Sequence, residues 1–439
     1  MKCLLLVVAC LVAGCTPNEP FRSLEVADCT GAEKTSCGNG YYEKHGNYDL
    51  GFVEYTERGN DFFPERTRAL LNRIKAFGKG NGVAVIVFVH GWKHNASPDD
   101  ENVRSFNQAL DTIAKLDIVA GKKIVGVYVG WRGLSLHGLQ LENLTYWDRK
   151  QTAEQVGRAG VTELLLNLEQ LDRQNPDNIM LTIGHSFGGA VVLSALSAVL
   201  LERMVAAEDG IGVQSFGNGV VLLNPAIEAN QGLRLKEQSI RVGLKHVNIP
   251  SLLYVVSSRG DSATTWPFRM GQNLGTNMRW SQFDLQRRYS DMNFVLKESQ
   301  LDNTTIGNYA PFWTGSIDDF GPAAPSAASI VGLGKNGKWQ YHSYCKDDSD
   351  GPQGIQLPCY SYEPVEVFRV PASFMENHND VFNHNVISLI STITTKSFYD
   401  GLGGKGINPA IDAFCFARGR FNFDGCFNHY FNKSADGAP

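Results

Sequence analysis

One hexapeptide of this 439-residue chain has the residue types and spacing for nucleophilic chemistry: Gly184-His185-Ser186-Phe187-Gly188-Gly189. A serine hydroxyl attacks a carbonyl only when a neighbouring base takes its proton and the side chain stands clear of its own backbone. Glycines on both sides of Ser186 remove the Cβ clashes that would forbid a sharp, strained turn there. The flanks suit such a turn. Ile179 to Ile183 is an apolar run of strand type, and Ala190 to Leu201 has the composition of a buried helix. A strand before and a helix after would expose the Ser186 hydroxyl above the sheet edge, at the positive end of a helix.

The surrounding pattern supplies those elements. Val83 to Val89 is a continuous, mostly β-branched run, the signature of a strand buried on both faces. A helix is predicted from Asn102 to Ala114, a strand from Ile124 to Val129, and a long helix from Thr152 to Leu171 with Val156, Ala159, Leu164 and Leu168 on one side. Val220 to Leu223 and Leu252 to Val256 read as strands, and Asp380 to Ile393 as a last helix. This alternation predicts an α/β fold: a doubly wound, mostly parallel sheet with functional groups beyond the carboxyl ends of its strands. The stretch from Thr264 to Val370, rich in Gly, Asn, Ser and aromatics, breaks the rhythm and reads as an insertion beside the site, with the option of acting as a lid.

With Gly184–Gly189 between strand and helix, the chain resembles the α/β-hydrolase superfamily, and more narrowly its bacterial esterase-like and lipase-like members, over about residues 50 to 395. The resemblance implies a triad in the chain order Ser, acid, His and an oxyanion hole near an upstream His-Gly. His90-Gly91-Trp92 directly follows the Val83–Val89 strand. The backbone N–H groups of Trp92 and Phe187 are then the expected oxyanion donors, with His90 holding the loop; a direct role for His90 or His94 is the lesser option. For the acid, Asp261 lies just past the strand Leu252–Val256, where the superfamily usually places it, and Glu228, after the preceding strand, is the rival. Of the downstream histidines His342, His378, His384 and His429, His378 has the loop-then-helix setting typical of the superfamily.

The implied activity is hydrolysis of carboxylic esters through an acyl-enzyme on Ser186, with His378 as base and Asp261 as its partner. No metal or organic cofactor is expected. The alternatives are amide or peptide hydrolysis or acyl transfer on the same triad, and a non-catalytic envelope scaffold. Trp92, Trp131, Trp147 and Trp266 are candidates to wall an acyl pocket, and Arg132 is expected in a structural ion pair, with contact to an anionic substrate group as the lesser option.

Composition narrows the setting. The chain is 43% hydrophobic and 19% charged, as a globular protein with a sizeable core would be. A net charge of −5 without a basic run argues against nucleic acid as a partner. Lys2 and the apolar run Leu4–Ala13, too short for the ~20 residues of a bilayer span, end in Val12-Ala13-Gly14-Cys15, which resembles the bacterial lipobox. That resemblance implies cleavage before Cys15, a diacylglycerol on its thiol, and a body in water tethered to a membrane. If the cell has two membranes, Thr16 after the anchor points to the periplasmic face of the outer one. Cys29, Cys37, Cys345, Cys359, Cys415 and Cys426 remain, an even number that favours disulfides in an oxidising compartment. Their spacing suggests the local pairs Cys29–Cys37, Cys345–Cys359 and Cys415–Cys426. The expected division is a signal peptide at 1–14, a tether and N-terminal segment at 15–50, a hydrolase domain at 51–395 with 264–370 as insertion or lid, and a C-terminal appendage at 396–439.

Overall fold

Alternate residues of one strand point into two different cores, and this decides the architecture. The computed structural model describes residues 18–30, 38–134, 146–245, 249–264, 283–289, 292–319, 339–344, 357, 363–401, 415–417, 420–421 and 426. Within them, the strand β4, Val83–Val89, sends Val83, Val85, Val87 and Val89 to one buried cluster and Ala84, Ile86 and Phe88 to another. A strand buried on both faces must lie inside a sheet that helices cover on each side.

That sheet has eleven strands in the order β1-β2-β3-β5-β4-β6-β7-β8-β13-β11-β12. Its strands are β1 Ser23–Asp28, β2 Gly40–Lys44, β3 Asp49–Glu54, β4, β5 Lys123–Gly130, β6 Ile179–His185, β7 Val220–Leu223, β8 Leu253–Ser258, β11 Gly315–Asp319, β12 Trp339–Ser343 and β13 Val365–Val370. The β2–β3 and β11–β12 pairings are antiparallel, and the other neighbours pair in parallel. This is the doubly wound, mostly parallel α/β sheet expected from the alternating pattern, and the α/β-hydrolase fold that the resemblance implied. The strands that follow β4 in the chain, β5 and β6, pair on opposite sides of it. The chain therefore opens a crevice at the carboxyl ends of β4 and β6, where loops leave in opposite directions.

On one face lie α1 (Pro64–Phe77), α3 (Tyr146–Val156), α4 (Thr162–Asp172), α5 (Phe187–Glu208) and α6 (Ala229–Leu244), contributing Leu70, Val156, Leu164, Leu196 and Leu233 to the first core. On the other lie α2 (Glu101–Ile113) and α8 (His384–Gly401), contributing Phe106, Leu110, Leu389 and Ile393 to the second. Helix α5 is apolar and long enough to cross a bilayer. Here Val191, Val192, Leu200 and Met204 are buried against the sheet, so it serves as the central core helix.

Several boundaries differ from those read in the sequence. The helix predicted over Thr152–Leu171 is two helices, α3 and α4, joined by a π-helical turn at Gly157–Val161. The break follows from close packing: a Cβ on Gly157 would stand 2.3 Å from the Val191 carbonyl oxygen of α5. Ala159 is consequently exposed at the kink rather than buried beside Val156 and Leu164. The stretch 264–370 is not wholly an insertion. It supplies β11, β12 and β13 to the main sheet, with β13 paired to β8, besides a separate hairpin of β9 (Asp284–Tyr289) and β10 (Met292–Lys297) and the short helix α7 (Glu298–Asn303). The segment 15–50 is more than a tether, since β1, β2 and the start of β3 form one edge of the sheet. The last helix starts at His384, four residues later than predicted, because Asp380 is used in a turn. Its carboxylate accepts from the Glu376 N–H and the Asn383 amide.

Among the described cysteines, Cys415 and Cys426 form a disulfide whose two residues are buried in the second core. These two residues of the C-terminal segment are thereby packed against the body. Cys29 is also disulfide-bonded; Cys15, Cys37, Cys345 and Cys359 lie outside the described residues.

Candidate active site

Ser186 occupies the single residue between β6 and α5. Its φ of 55° and ψ of −120° lie in a region that a residue with a Cβ rarely adopts, at a cost of roughly 1–3 kcal/mol. Three main-chain hydrogen bonds hold it there: Ser186 N–H donates to Leu223 O at 3.1 Å, and Ser186 O accepts from Gly189 at 3.0 Å and Ala226 at 3.2 Å. Gly188 makes the turn possible from below, because a Cβ there would meet the Val89 carbonyl oxygen at 2.0 Å.

The two partner side chains arrive from distant parts of the chain. His378 Nε2 lies 2.8 Å from Ser186 Oγ, and His378 Nδ1 lies 3.0 Å from Asp261 Oδ2. A carboxylate only accepts, so Nδ1 carries the proton and Nε2 is left to accept from the serine hydroxyl. Asp261 is itself fully engaged. Its Oδ1 accepts from the Ala263 and Thr264 N–H groups at 2.9 and 3.1 Å, and its Oδ2 also accepts from Thr264 Oγ1 at 2.6 Å. Burial pushes the Asp261 carboxyl up, but the hydrogen bonds from His378 and Thr264 outweigh it and hold the group below the ordinary carboxylate range. The rival acid, Glu228, is at the N-terminal boundary of α6 and pairs with the buried Lys150, whose ammonium burial drives down to about 8. Of the other histidines, His384 opens α8, the side chain of His342 is outside the described part of β12, and His429 lies outside the described residues.

The loop after β4 closes over Ser186. A Cβ on Gly91 would stand 2.8 Å from Ser186 Cβ, so only glycine lets the loop come this near. The next residue, Trp92, rests its ring 6.3 Å from that of Phe187, the first residue of α5. The N–H groups of a first helical turn point out of the helix end, toward the space in front of Ser186. His90 is fully buried beneath the loop. Its Nδ1 donates to Gly91 O at 2.9 Å and its Nε2 accepts from the Trp131 N–H at 3.1 Å, while Trp131 Nε1 donates back to His90 O at 2.9 Å. Burial drives the His90 imidazole down to about 4, so the ring is neutral at pH 7 and matches this donor–acceptor pair. His94 pairs with Asp100, the residue that caps α2.

Of the four tryptophans considered for an acyl pocket, Trp131 is spent on the loop, stacked on His90 with ring centroids 5.5 Å apart and planes nearly parallel. Trp92 is half-buried beside Phe187, Trp266 is outside the described residues, and so is the side chain of Trp147. Arg132 is ion-paired with Glu57 at 2.8 Å. Cys29, Glu43 and His45 are the residues that group as metal ligands would among those described, but the sulfur is in a disulfide and Glu43 pairs with Arg22 at 2.7 Å.

Two residues of the site carry no role in the sequence-based reading. Asn224, just past β7, is fully buried with a φ of 43°; its amide reaches the His378 loop. His185, inside the glycine motif, reaches the same loop from the other side. The available signal for Asn224 was an amide residue between a buried apolar strand and Pro225, since asparagine tolerates the left-handed region.

No curated protein matches the chain. Among solved structures it is similar to phospholipase PlaB from Legionella pneumophila in complex with thio-NAD, at 13% identity and a TM-score of 0.25, over 49% of this chain and 48% of that one. The chain thus spans about half the length of that protein. Residues 67–287, which run from α1 through β9 and include the β4 loop, the Ser186 turn and Asp261, match the family described as alpha/beta hydrolase of unknown function (DUF900). The chain belongs to this α/β-hydrolase family.

Proposed function

We propose that this hydrolase is a serine esterase that cleaves carboxylic esters through a covalent acyl-enzyme on Ser186. The observation that carries the proposal is the hydrogen-bonded series Ser186 Oγ, His378 Nε2, His378 Nδ1, Asp261 Oδ2, with spacings of 2.8 and 3.0 Å across its two contacts. His378 takes the hydroxyl proton as Oγ attacks the ester carbonyl, and Asp261 stabilises the imidazolium that forms. The N–H groups of Phe187 and Trp92 bind the oxyanion, each worth roughly 3–4 kcal/mol of barrier. His378 then returns the proton to the departing alcohol, leaving the acyl group on Ser186. Water activated by the same imidazole attacks the acyl carbonyl, and the acid leaves with the serine regenerated. A scaffold without catalysis has no use for a strained serine aligned with a base and a buried acid, and this favours the enzyme reading.

The same reading places the protein on a membrane surface through a lipidated Cys15, with its body in the periplasm of a two-membrane cell. The lipobox-like Val12-Ala13-Gly14-Cys15 supports this, and Cys15→Ser would release the protein from the membrane fraction.

The deciding experiment is labelling of the purified chain after Cys15 with a fluorophosphonate probe, beside Ser186→Ala and His378→Ala. The expected result is labelling of the wild type alone. A folded wild type that takes no label would sink the hydrolase proposal. Product analysis in the presence of amines and alcohols then separates ester hydrolysis from amide hydrolysis and acyl transfer.

A further inference from the structure

The ring of His378 faces Ser186 and Asp261, but its main-chain carbonyl is held from behind by two side chains. His185 Nε2 lies 2.8 Å from His378 O, and Asn224 Nδ2 lies 3.1 Å from the same oxygen. A carbonyl oxygen accepts only, so both nitrogens donate, and the two lone pairs of this oxygen are both taken. Asn224 Nδ2 also stands 3.3 Å from Asn377 O, while Asn224 Oδ1 accepts from the Ser258 N–H at 2.9 Å. Ser258 Oγ in turn donates to Met375 O.

These donors come from one place in the fold. His185 is the last residue of β6, Asn224 follows the last residue of β7, and Ser258 is the last residue of β8. The three strands are neighbours in the sheet. Ser186 and Asp261 stand one and three residues beyond the ends of β6 and β8. The strand ends that carry the nucleophile and the acid therefore also grip the loop that carries the base.

We propose that His185 and Asn224 are positioning residues, which fix the backbone of His378 so that its ring stays within hydrogen-bond reach of Ser186 Oγ. The inference rests on the serine-hydrolase reading given above. An ordinary loop anchor would add stability without touching rate. Here the restrained carbonyl belongs to the very residue whose ring must be aimed, and one donor, His185, is the chain neighbour of the nucleophile. A displacement of about 1 Å at such a site costs on the order of 10²-fold in rate. His185 suits this single task. Its ring is buried, and Nδ1 has no hydrogen-bond partner among the described residues, so Nε2–H is the one contact that fixes its tautomer.

The test compares fluorophosphonate labelling rates of the wild type, His185→Phe, His185→Gln and Asn224→Gly, each first checked for native circular dichroism and cooperative unfolding. Phe keeps the ring volume without the donor, Gln restores an N–H, and Gly suits the positive φ at 224. The expected result is labelling slowed roughly 10- to 100-fold in folded His185→Phe and Asn224→Gly, with most of the rate recovered in His185→Gln. Folded His185→Phe and Asn224→Gly that label within twofold of wild type would overturn the proposal, as would His185→Gln as slow as His185→Phe. Nitrogen-15 NMR of the wild type decides the contact without any variant. A neutral Nε2–H tautomer at His185 supports it and an Nδ1–H tautomer overturns it. Failure of the wild type to label is a different result, and removes the hydrolase reading itself.

Discussion

Thr264 Oγ1 stands 2.6 Å from Asp261 Oδ2, the same carboxylate oxygen that faces His378 Nδ1 at 3.0 Å. The hydroxyl shares this carboxylate with the imidazole, and it lowers the proton affinity of a carboxyl that burial alone would raise. A carboxyl whose folded proton affinity is depressed adds stability that is complete above its unfolded range, near pH 4, and lost as pH falls through the lower folded value. Thr264→Val keeps the shape and removes the hydroxyl. It should cost on the order of 1 kcal/mol at pH 7, with the difference from wild type narrowing as the solution is acidified. Urea unfolding at pH 7 and pH 3 measures both numbers.

The assignment of the acid makes a sharper claim. Asp261→Asn cannot hold His378 with Nδ1 protonated and Nε2 free to accept, and a change of this kind lowers turnover by ~10⁴. Glu228→Gln alters a contact with Lys150 instead. Labelling by a fluorophosphonate should nearly vanish in the first variant and stay within a few-fold of wild type in the second. The reverse order would transfer the role of acid to Glu228.

The approach of the β4 loop to Ser186 gives a third prediction. Gly91→Ala would place a methyl group 2.8 Å from Ser186 Cβ, well inside contact distance. The loop must retreat, and the Trp92 N–H retreats with it. A loss of about 10²-fold in acylation rate is expected, while α5 and the sheet keep their far-ultraviolet signal and Tm falls by a few degrees.

Far from the site, Asp172 at the end of α4 predicts an unusual pH dependence. Burial, with Glu169 close by, pushes its carboxyl up to about 7, and Oδ1 has no hydrogen-bond partner among the described residues. The folded protein therefore binds this proton more tightly than the unfolded chain does. The resulting penalty is absent below pH ~4, grows as pH rises toward 7, and is complete above that. At ~1.4 kcal/mol per unit and with allowance for partial exposure, it amounts to about 2–4 kcal/mol. Asp172→Asn should be the more stable protein at pH 8 and indistinguishable from wild type at pH 4, as calorimetry at the two values would report.

How much of this was legible in the sequence depends on the range of the forces involved. The β4 and β6 strands and the Ser186 turn are written in local letters: continuous apolar runs and a glycine pair around one serine. Asp261 could be named because it follows a recognisable strand and His378 because it precedes a recognisable helix, although the order β8-β13 that joins them was not visible. Strand β13, Val-Glu-Val-Phe-Arg-Val, is buried at Val365, Val367, Phe368 and Val370 without a strict alternation, and it lies in a stretch whose glycines and asparagines mask it further. The kink at Gly157 depends on the Val191 carbonyl, and the grip of Asn224 on His378 on a partner 154 residues away. Neither contact leaves a periodic trace.

The pairing of β13 with β8 has a consequence for the nascent chain. In chain order the Ser186 turn and Asp261 both come more than a hundred residues ahead of His378. On the serine-esterase reading proposed above, a fragment that ends before β13 would hold the serine and the carboxylate without the base. On that reading such a fragment would be inert, whatever the state of its Ser186 turn.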